Sequence, residues 1–326
     1  MMIRRVAGAA VVALCAALAA PAAPARPVSG LRSGLPSSAL AIERDGTAYT
    51  WWRSERAPTR WTAPLPELAG ALTWQPVAPG IDWASVRLGG RGEAWRIRVI
   101  VVRIDPRRVR FRLDTAFDGP AMGAAWSVAR APNDARVAIN AGQFVGSMPW
   151  GWVVLNGRQF LSPGYGPLST AVVIDTAGRV RWVPGDSLAP SPSGVDAAFQ
   201  SYPTLLEGDG DVPAALQAPG SGPAAVDLGH RDARLALGGL RDGRLVAVLT
   251  RFDALDGAMD FVPFGLTTPE MAALMGALGC SEAVALDGGI SSQLLLRDTR
   301  GHTRSWRGLR KVPLGLVVVS RTTAGQ

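Results

Sequence analysis

The chain is poor in the residues that build metal centres and covalent staples, with 2 histidines and 2 cysteines among 326 residues. Those counts exclude a zinc finger, a histidine-rich metal centre and a disulfide scaffold. Lysine is scarcer still: of 34 basic residues only Lys311 is lysine, so the other 33 (34 minus 1) are arginines. The arginines are scattered rather than run together with aromatics, so a net charge of +8 does not describe a nucleic-acid-binding surface. It suits an anionic small ligand or polymer, because arginine grips phosphate with two parallel hydrogen bonds. With 48% hydrophobic and 18% charged residues, the chain is not disordered and can bury a real core. The 38 glycines and 25 prolines show no three-residue period. That excludes collagen, argues against a helical bundle and predicts many turns joining short elements. Any chemistry must therefore rest mainly on carboxylates, arginines, hydroxyls and backbone.

Long apolar runs are absent except near the start, where Arg4 and Arg5 precede small apolar residues from Val6 to Ala20, followed by Ala-Pro repeats. Residues 1–25 read as a cleaved secretory signal peptide, giving an exported protein of the periplasm or the extracellular space. About 15 apolar residues fall short of the roughly 20 that span a bilayer, so no stable membrane span is expected after cleavage. Cleavage removes Cys15 and leaves Cys280 without an internal disulfide partner. Residues 26–71 are rich in Pro, Ser, Arg and Ala and lack a sustained period, which predicts a partly ordered leader or wrapping segment.

Residues 72–322 form the expected folded unit, of α/β (mixed α+β) class: a single domain of mixed β-sheet with few helices. Its predicted strands are 96–103, 109–115, 137–139, 152–155, 170–175, 179–183, 235–237, 245–250, 283–286, 292–296 and 314–320. One helix is predicted after Thr267 or Thr268, with Pro269 in its first turn, Glu270 near its positive end and Gly279 closing it.

The most informative stretch is CSEAVALDGGISSQLLL, residues 280–296. An apolar strand stops at Asp287, followed by Gly288, Gly289 and, past Ile290, Ser291 and Ser292. A carboxylate at a strand end, beside glycines that admit a ligand close to the backbone, is one way a polar site is presented on a β scaffold. A tight hairpin with an Asp-Gly turn fits the same residues.

This stretch resembles the phosphodiester glycosidase family, in which an apolar strand leads into Asp-Gly-Gly-Gly-Ser-Ser. Three further blocks match in order. VAINAGQF, with Asn140, Gly142 and Gln143, is similar to the family's Ile-Asn-Gly-Gly-Phe-Phe element. FQSYPTLLEGDG is similar to its Gln-x-x-Pro-x-Leu segment through Gln200, Pro203 and Leu205. ARLALGGLRDGRLVAVL is similar to its Arg-Thr-Ala-Ile-Gly stretch entering a Lys-Asp-Gly hairpin, through Arg234, Ala236, Gly238, Asp242 and Gly243. The resemblance implies hydrolysis at the anomeric carbon of a sugar held through a phosphodiester, with a sugar phosphodiester or envelope glycan as substrate; no cofactor is expected beyond the calcium loop considered below. It assigns Asp287 as nucleophile, base or oxocarbenium stabiliser and Arg234 as phosphate clamp. Asn140, Gly142, Gln143, Gln200, Ser291 and Ser292 become ligand contacts, and Gly288 and Gly289 keep the backbone accessible.

Several departures fall near the supposed site. Ile290 replaces the third glycine, predicting a less open turn, Gln293 and Leu235 stand where threonines are usual, and His230 lies four residues ahead of Arg234. Residues 250–266 replace a shorter Asp-Gly segment, so a carboxylate is missing or displaced to Asp253 or Asp256. Two other readings therefore stand beside the first: a carbohydrate- or phosphoglycan-binding protein that has lost catalysis, and a glycosidase on a non-phosphorylated glycan with Glu207 or Asp253 facing Asp287. The alternating Glu207, Asp209 and Asp211 also fit a calcium loop or a solvated turn.

Overall fold

The computed structural model describes residues 37–44, 47–90, 94–115, 125–164, 167–188, 193–218, 226–254 and 257–321. The signal-peptide segment and residues 26–36 lie outside the described residues.

In chain order the first strands are β1 (Ala39–Arg44), β2 (Thr47–Arg53), β3 (Gln75–Ala78), β4 (Ile81–Gly89), β5 (Ile97–Ile104), β6 (Val109–Thr115) and β7 (Ala135–Asn140). Next come β8 (Gln143–Val145), β9 (Met148–Trp150), β10 (Val153–Leu155), β11 (Arg158–Leu161), β12 (Thr170–Asp175), β13 (Val180–Pro184) and β14 (Val195–Ser201). The last are β15 (Thr204–Leu206), β16 (Leu235–Leu240), β17 (Leu245–Phe252), β18 (Cys280–Leu286), β19 (Leu294–Arg297), β20 (Thr303–Trp306) and β21 (Leu314–Ser320). Helices are few: α1 (Pro66–Ala71), α2 (Ala214–Gln217) and α3 (Thr268–Ala277).

A nine-stranded sheet runs β15-β18-β16-β17-β5-β4-β1-β2, with β3 pairing β4. Two five-stranded sheets run β11-β10-β14-β12-β13 and β20-β19-β7-β21-β6, and β8 and β9 form a separate hairpin. The result is a mixed α+β domain dominated by sheet. Alternation explains how the layers meet, since successive side chains on a strand point to opposite faces. On β5, Val99 and Val101 enter a core shared with α3, whereas Ile100, Val102 and Ile104 enter a second core. That second core also receives Ile139 and Leu316 from one small sheet and Val172 and Phe199 from the other, so the inner faces of all three sheets converge there.

Residues 39–71 carry more order than their aperiodic sequence predicts. Strands β1 and β2 extend the large sheet beyond β4, and Leu40, Ile42, Trp52 and Leu68 are buried in the core shared with α3. Sheet pairing and tryptophan burial order this wrapping segment even though no face is evident in sequence. Helix α3 starts as its residues predict. The Thr267 hydroxyl accepts from the Glu270 N–H at 3.3 Å, and the Glu270 carboxylate accepts from the Thr267 N–H at 2.8 Å, a reciprocal cap. The helix is buried nearly all round rather than along one stripe.

Candidate active site

Strands β18 and β7 belong to different sheets, and their C-terminal ends are joined by hydrogen bonds of the turn that carries Asp287. The Asn140 Nδ2 donates to the Asp287 carbonyl at 2.8 Å, and its Oδ1 accepts from the Gln293 N–H at 3.0 Å. The Asp287 N–H donates to the Gly142 carbonyl at 3.2 Å. Beyond Asp287 the chain lies against residues 232–234, with the Gly289 N–H donating to the Ala233 carbonyl at 2.7 Å. Glycine is required at 289: its φ is +56°, and a Cβ there would run into the Asp232 carboxylate. At 288 a Cβ would meet the Ala233 carbonyl. The glycine pair thus brings two acidic side chains, Asp287 and Asp232, to one place.

Both carboxyls are half-buried, and burial raises the pKa of each above the ordinary aspartate value. For Asp287 a hydrogen bond from Ser291 and the charge of Arg310 oppose that rise, while the charge of Asp232 adds to it. For Asp232 the opposing charges are Arg234 and His230, whose Nε2 lies 3.5 Å from Asp232 Oδ2. Arg234 is itself substantially buried, which lowers its pKa. Its Nε donates to the Leu266 carbonyl at 2.8 Å and its Nη2 to the His230 carbonyl at 2.6 Å. Arg310 lies 4.6 Å over the Phe144 ring and donates to the Gly146 carbonyl at 3.2 Å, tying the β8–β9 hairpin to the rim. On that hairpin, Gln143 Nε2 donates to the Tyr202 carbonyl at 3.1 Å, and Trp150 packs edge-on against Tyr202 at 5.5 Å.

Asp287, Ser291, Gly288, Gly289 and Arg234 therefore share one neighbourhood, with Asn140, Gly142 and Gln143 beside it. Three of the expected ligand contacts have their polar atoms engaged by the chain itself. Asn140 is 1% exposed with both ends of its amide bonded as above. Gln200, also 1% exposed, accepts from the N–H groups of Trp152 and Gly164, both at 2.7 Å. Fully buried Ser292 donates to the Gly289 carbonyl at 2.8 Å and accepts from Arg251 Nη1 at 3.1 Å. These side chains hold the loops that shape the site.

The departures resolve physically. Ile290 turns its side chain to solvent at 44% exposure, and among described non-glycine residues only Asn156 has a positive φ, so position 290 makes no demand for glycine. Gln293 is buried and accepts from the Val128 N–H at 2.9 Å. Asp253 is gripped by Arg87 at 2.5 Å and Arg98 at 2.6 Å, a structural cluster, and Asp256 lies outside the described residues. Segment 250–266 still borders the site, through the Leu266 and Pro263 carbonyls that accept from Arg234 and the Ala233 N–H. Glu207 lines a separate hollow with Trp182, Thr204 and Glu282. Asp209 and Asp211 are bridged by Arg60, and Asp209 also by Arg241. Among the described residues no cluster of three or more His, Cys, Asp or Glu side chains could hold a metal ion. A cavity of about 770 Å³ lined by Arg110, Arg112, Arg136 and Arg321 sits at the start of β7, the end remote from Asn140.

The residues missed in sequence are Asp232, Arg310 and Arg251. Asp232 was legible in principle, because residues 232 and 234 point the same way on an extended segment leading to Arg234. Arg310 lies 23 residues beyond Asp287 (310 minus 287) in a loop, and only tertiary packing brings it back. Arg251 is 2% exposed, and burial takes its pKa down to about 10.

The family model for phosphodiester glycosidase matches residues 133–319. The fold is similar to the catalytic domain of zebrafish N-acetylglucosamine-1-phosphodiester alpha-N-acetylglucosaminidase, auto-inhibited by its pro-peptide. The TM-score is 0.55 at 16% identity, covering 79% of this chain and 91% of that one. A hypothetical protein from Synechocystis aligns with a TM-score of 0.49 at 17% identity, covering 87% of this chain and 72% of the other. No curated protein matches in sequence.

Proposed function

The chain belongs to the phosphodiester glycosidase family, and from that premise we propose that it is an exported hydrolase cleaving the bond between an anomeric carbon and phosphate in a sugar-1-phosphodiester. The observation that carries this reading is Asp287: a half-buried carboxylate at a strand end, under the charge of Arg310 and near Asp232, whose own charge is opposed by Arg234. The chemistry suits such a site. A glycosidic bond to an ordinary alcohol needs an acid to protonate the departing oxygen. A phosphomonoester has a second pKa of about 6 and departs as an anion, so cations can supply much of that assistance. Asp287 attacks the anomeric carbon or stabilises its developing positive charge. Arg234 clamps the phosphate through the part of its guanidinium not spent on the Leu266 and His230 carbonyls, and Arg310 reinforces the positive field. Ser291 and Gln143 contact sugar or phosphate oxygens, while Asn140, Gln200 and Ser292 support the loops. Export rests on the signal-peptide pattern; among the described residues no helix is long and apolar enough to cross a membrane.

The test is release of sugar and phosphomonoester from a panel of sugar-1-phosphodiesters by the mature chain, beside folded Asp287→Asn and Arg234→Ala. Turnover should fall at least about 100-fold in Asp287→Asn, within the range seen when a working acid or base is removed. A larger rise in KM than fall in kcat is expected for Arg234→Ala. No release from any phosphodiester, with glycan binding that survives Asp287→Asn, would replace this reading by a binding protein of the same fold.

A further inference from the structure

We propose that Asp232 is the second working carboxylate of this site, the general acid–base partner of Asp287. The proposal rests on the reading of Asp287 given above.

Among the described residues the fully buried acids of this chain are each paired with arginine. Asp253 meets two arginines at 2.5 and 2.6 Å, Glu270 meets Arg231 at 2.6 Å, and Asp175 meets Arg179 at 2.7 Å. Each is a structural anion neutralised by a guanidinium. Asp232 has no arginine ion pair among the described residues. Its Oδ1 accepts from the Ala233 N–H at 2.9 Å, and its Oδ2 lies 3.5 Å from His230 Nε2, with the charge of Arg234 also acting on the carboxylate. The side chain is 23% exposed, with its carboxylate packed on Gly289, two residues beyond Asp287. An acid partly shielded from water, without a guanidinium in ion-pair contact and set near a second such acid, holds a proton more readily than an ordinary aspartate, although the charges of Arg234 and His230 oppose that rise. His230, 60% exposed, links that oxygen to solvent. Here the wrapping of Gly289 against Asp232 has a purpose beyond packing: any side chain at 289 would displace the carboxylate.

A water proton passes to Asp232 Oδ2, the water oxygen bonds to the anomeric carbon, and the bond from that carbon to its leaving oxygen breaks with the electron pair staying on that oxygen. The proton then leaves through His230 to solvent. For a leaving group more basic than a phosphomonoester, Asp232 starts protonated and gives its proton to the departing oxygen while Asp287 takes the proton of the attacking water, so the pair extends the substrate range toward ordinary glycosides.

The experiment compares the parent chain with Asp232→Asn and Asp232→Glu on sugar-1-phosphodiesters, with and without added formate, across pH. The expected result is a loss of about 10²- to 10⁴-fold in kcat for Asp232→Asn with KM little changed, partial recovery in formate, and loss of one limb of the pH profile. A structural role would lower thermal stability without formate rescue. If Asp232→Asn does not fold, the Asp232→Glu profile decides: a displaced limb supports the assignment and an unchanged profile overturns it. An active parent with an indifferent Asp232→Asn removes this proposal alone, whereas a parent without turnover on any phosphodiester removes the Asp287 reading and this one with it.

Discussion

Gly289 shows how one residue links conformation to chemistry. Its positive φ and its contact with the Asp232 carboxylate leave no room for a side chain. Gly289→Ala is expected to cost about 1–3 kcal/mol through backbone strain and to depress turnover by moving the acid, measured by denaturant midpoint and kcat together. Asp287 gives a pH-dependent counterpart. Burial raises its folded pKa above the ordinary 3.8, so below that value both folded and unfolded chains are protonated and nothing is lost. As pH rises from 3.8 through the raised value, ionisation disfavours the folded state. Asp287→Asn should therefore melt higher than the parent at neutral pH while losing activity, with the difference vanishing below about pH 3. Equal melting temperatures at every pH would show that burial does not penalise this carboxylate.

At the scale of elements, α3 and the 231–234 segment are mechanically one unit. The Glu270 carboxylate caps its own helix, accepts from Ser38 and pairs with both Nη atoms of Arg231 at 2.6 and 2.8 Å. Arg231 directly precedes Asp232. Removing Thr267 with Thr267→Ala should cost about 1 kcal/mol, the usual worth of an N-cap. Glu270→Ala strips a buried cation of its partner and should cost about 3–5 kcal/mol. It should also lower kcat by loosening the segment that carries Asp232 and Arg234. A stability loss with unchanged kcat would separate the helix from the site.

Across the molecule, the N-terminal wrapping segment is part of the fold. Leu40, Ile42, Trp52 and Leu68 lie in the core shared with α3, and each such side chain contributes about 1.5–3 kcal/mol on burial. Four of them amount to about 6–12 kcal/mol, comparable with the roughly 5–15 kcal/mol that keeps a domain folded. A chain beginning at residue 72 should therefore fail to fold or aggregate, whereas one beginning near residue 37 should unfold cooperatively. Circular dichroism and size-exclusion elution of the two chains check this.

What could be read from the residues alone was whatever local pattern dictates. Strands β12 and β21 match the runs 170–175 and 314–320, since a buried strand needs a near-continuous run of β-branched and apolar residues, and β6 matches 109–115 through the alternation of Val109, Phe111 and Leu113 with polar residues. The start of α3 was legible because Thr267, Pro269 and Glu270 cap through neighbours in sequence. Asp287 and its glycines were legible as a motif. Strands such as β1, β2 and the mostly exposed β11 were not, because sheet-edge pairing rests on a partner strand rather than on the run itself. Nor could sequence reveal that Asn140, Gln200 and Ser292 spend their hydrogen bonds largely on backbone, or that the charges of Asp232 and Arg310 act on Asp287. Those facts depend on which distant groups are brought within a few ångströms, and only the packing of the sheets against one another sets that.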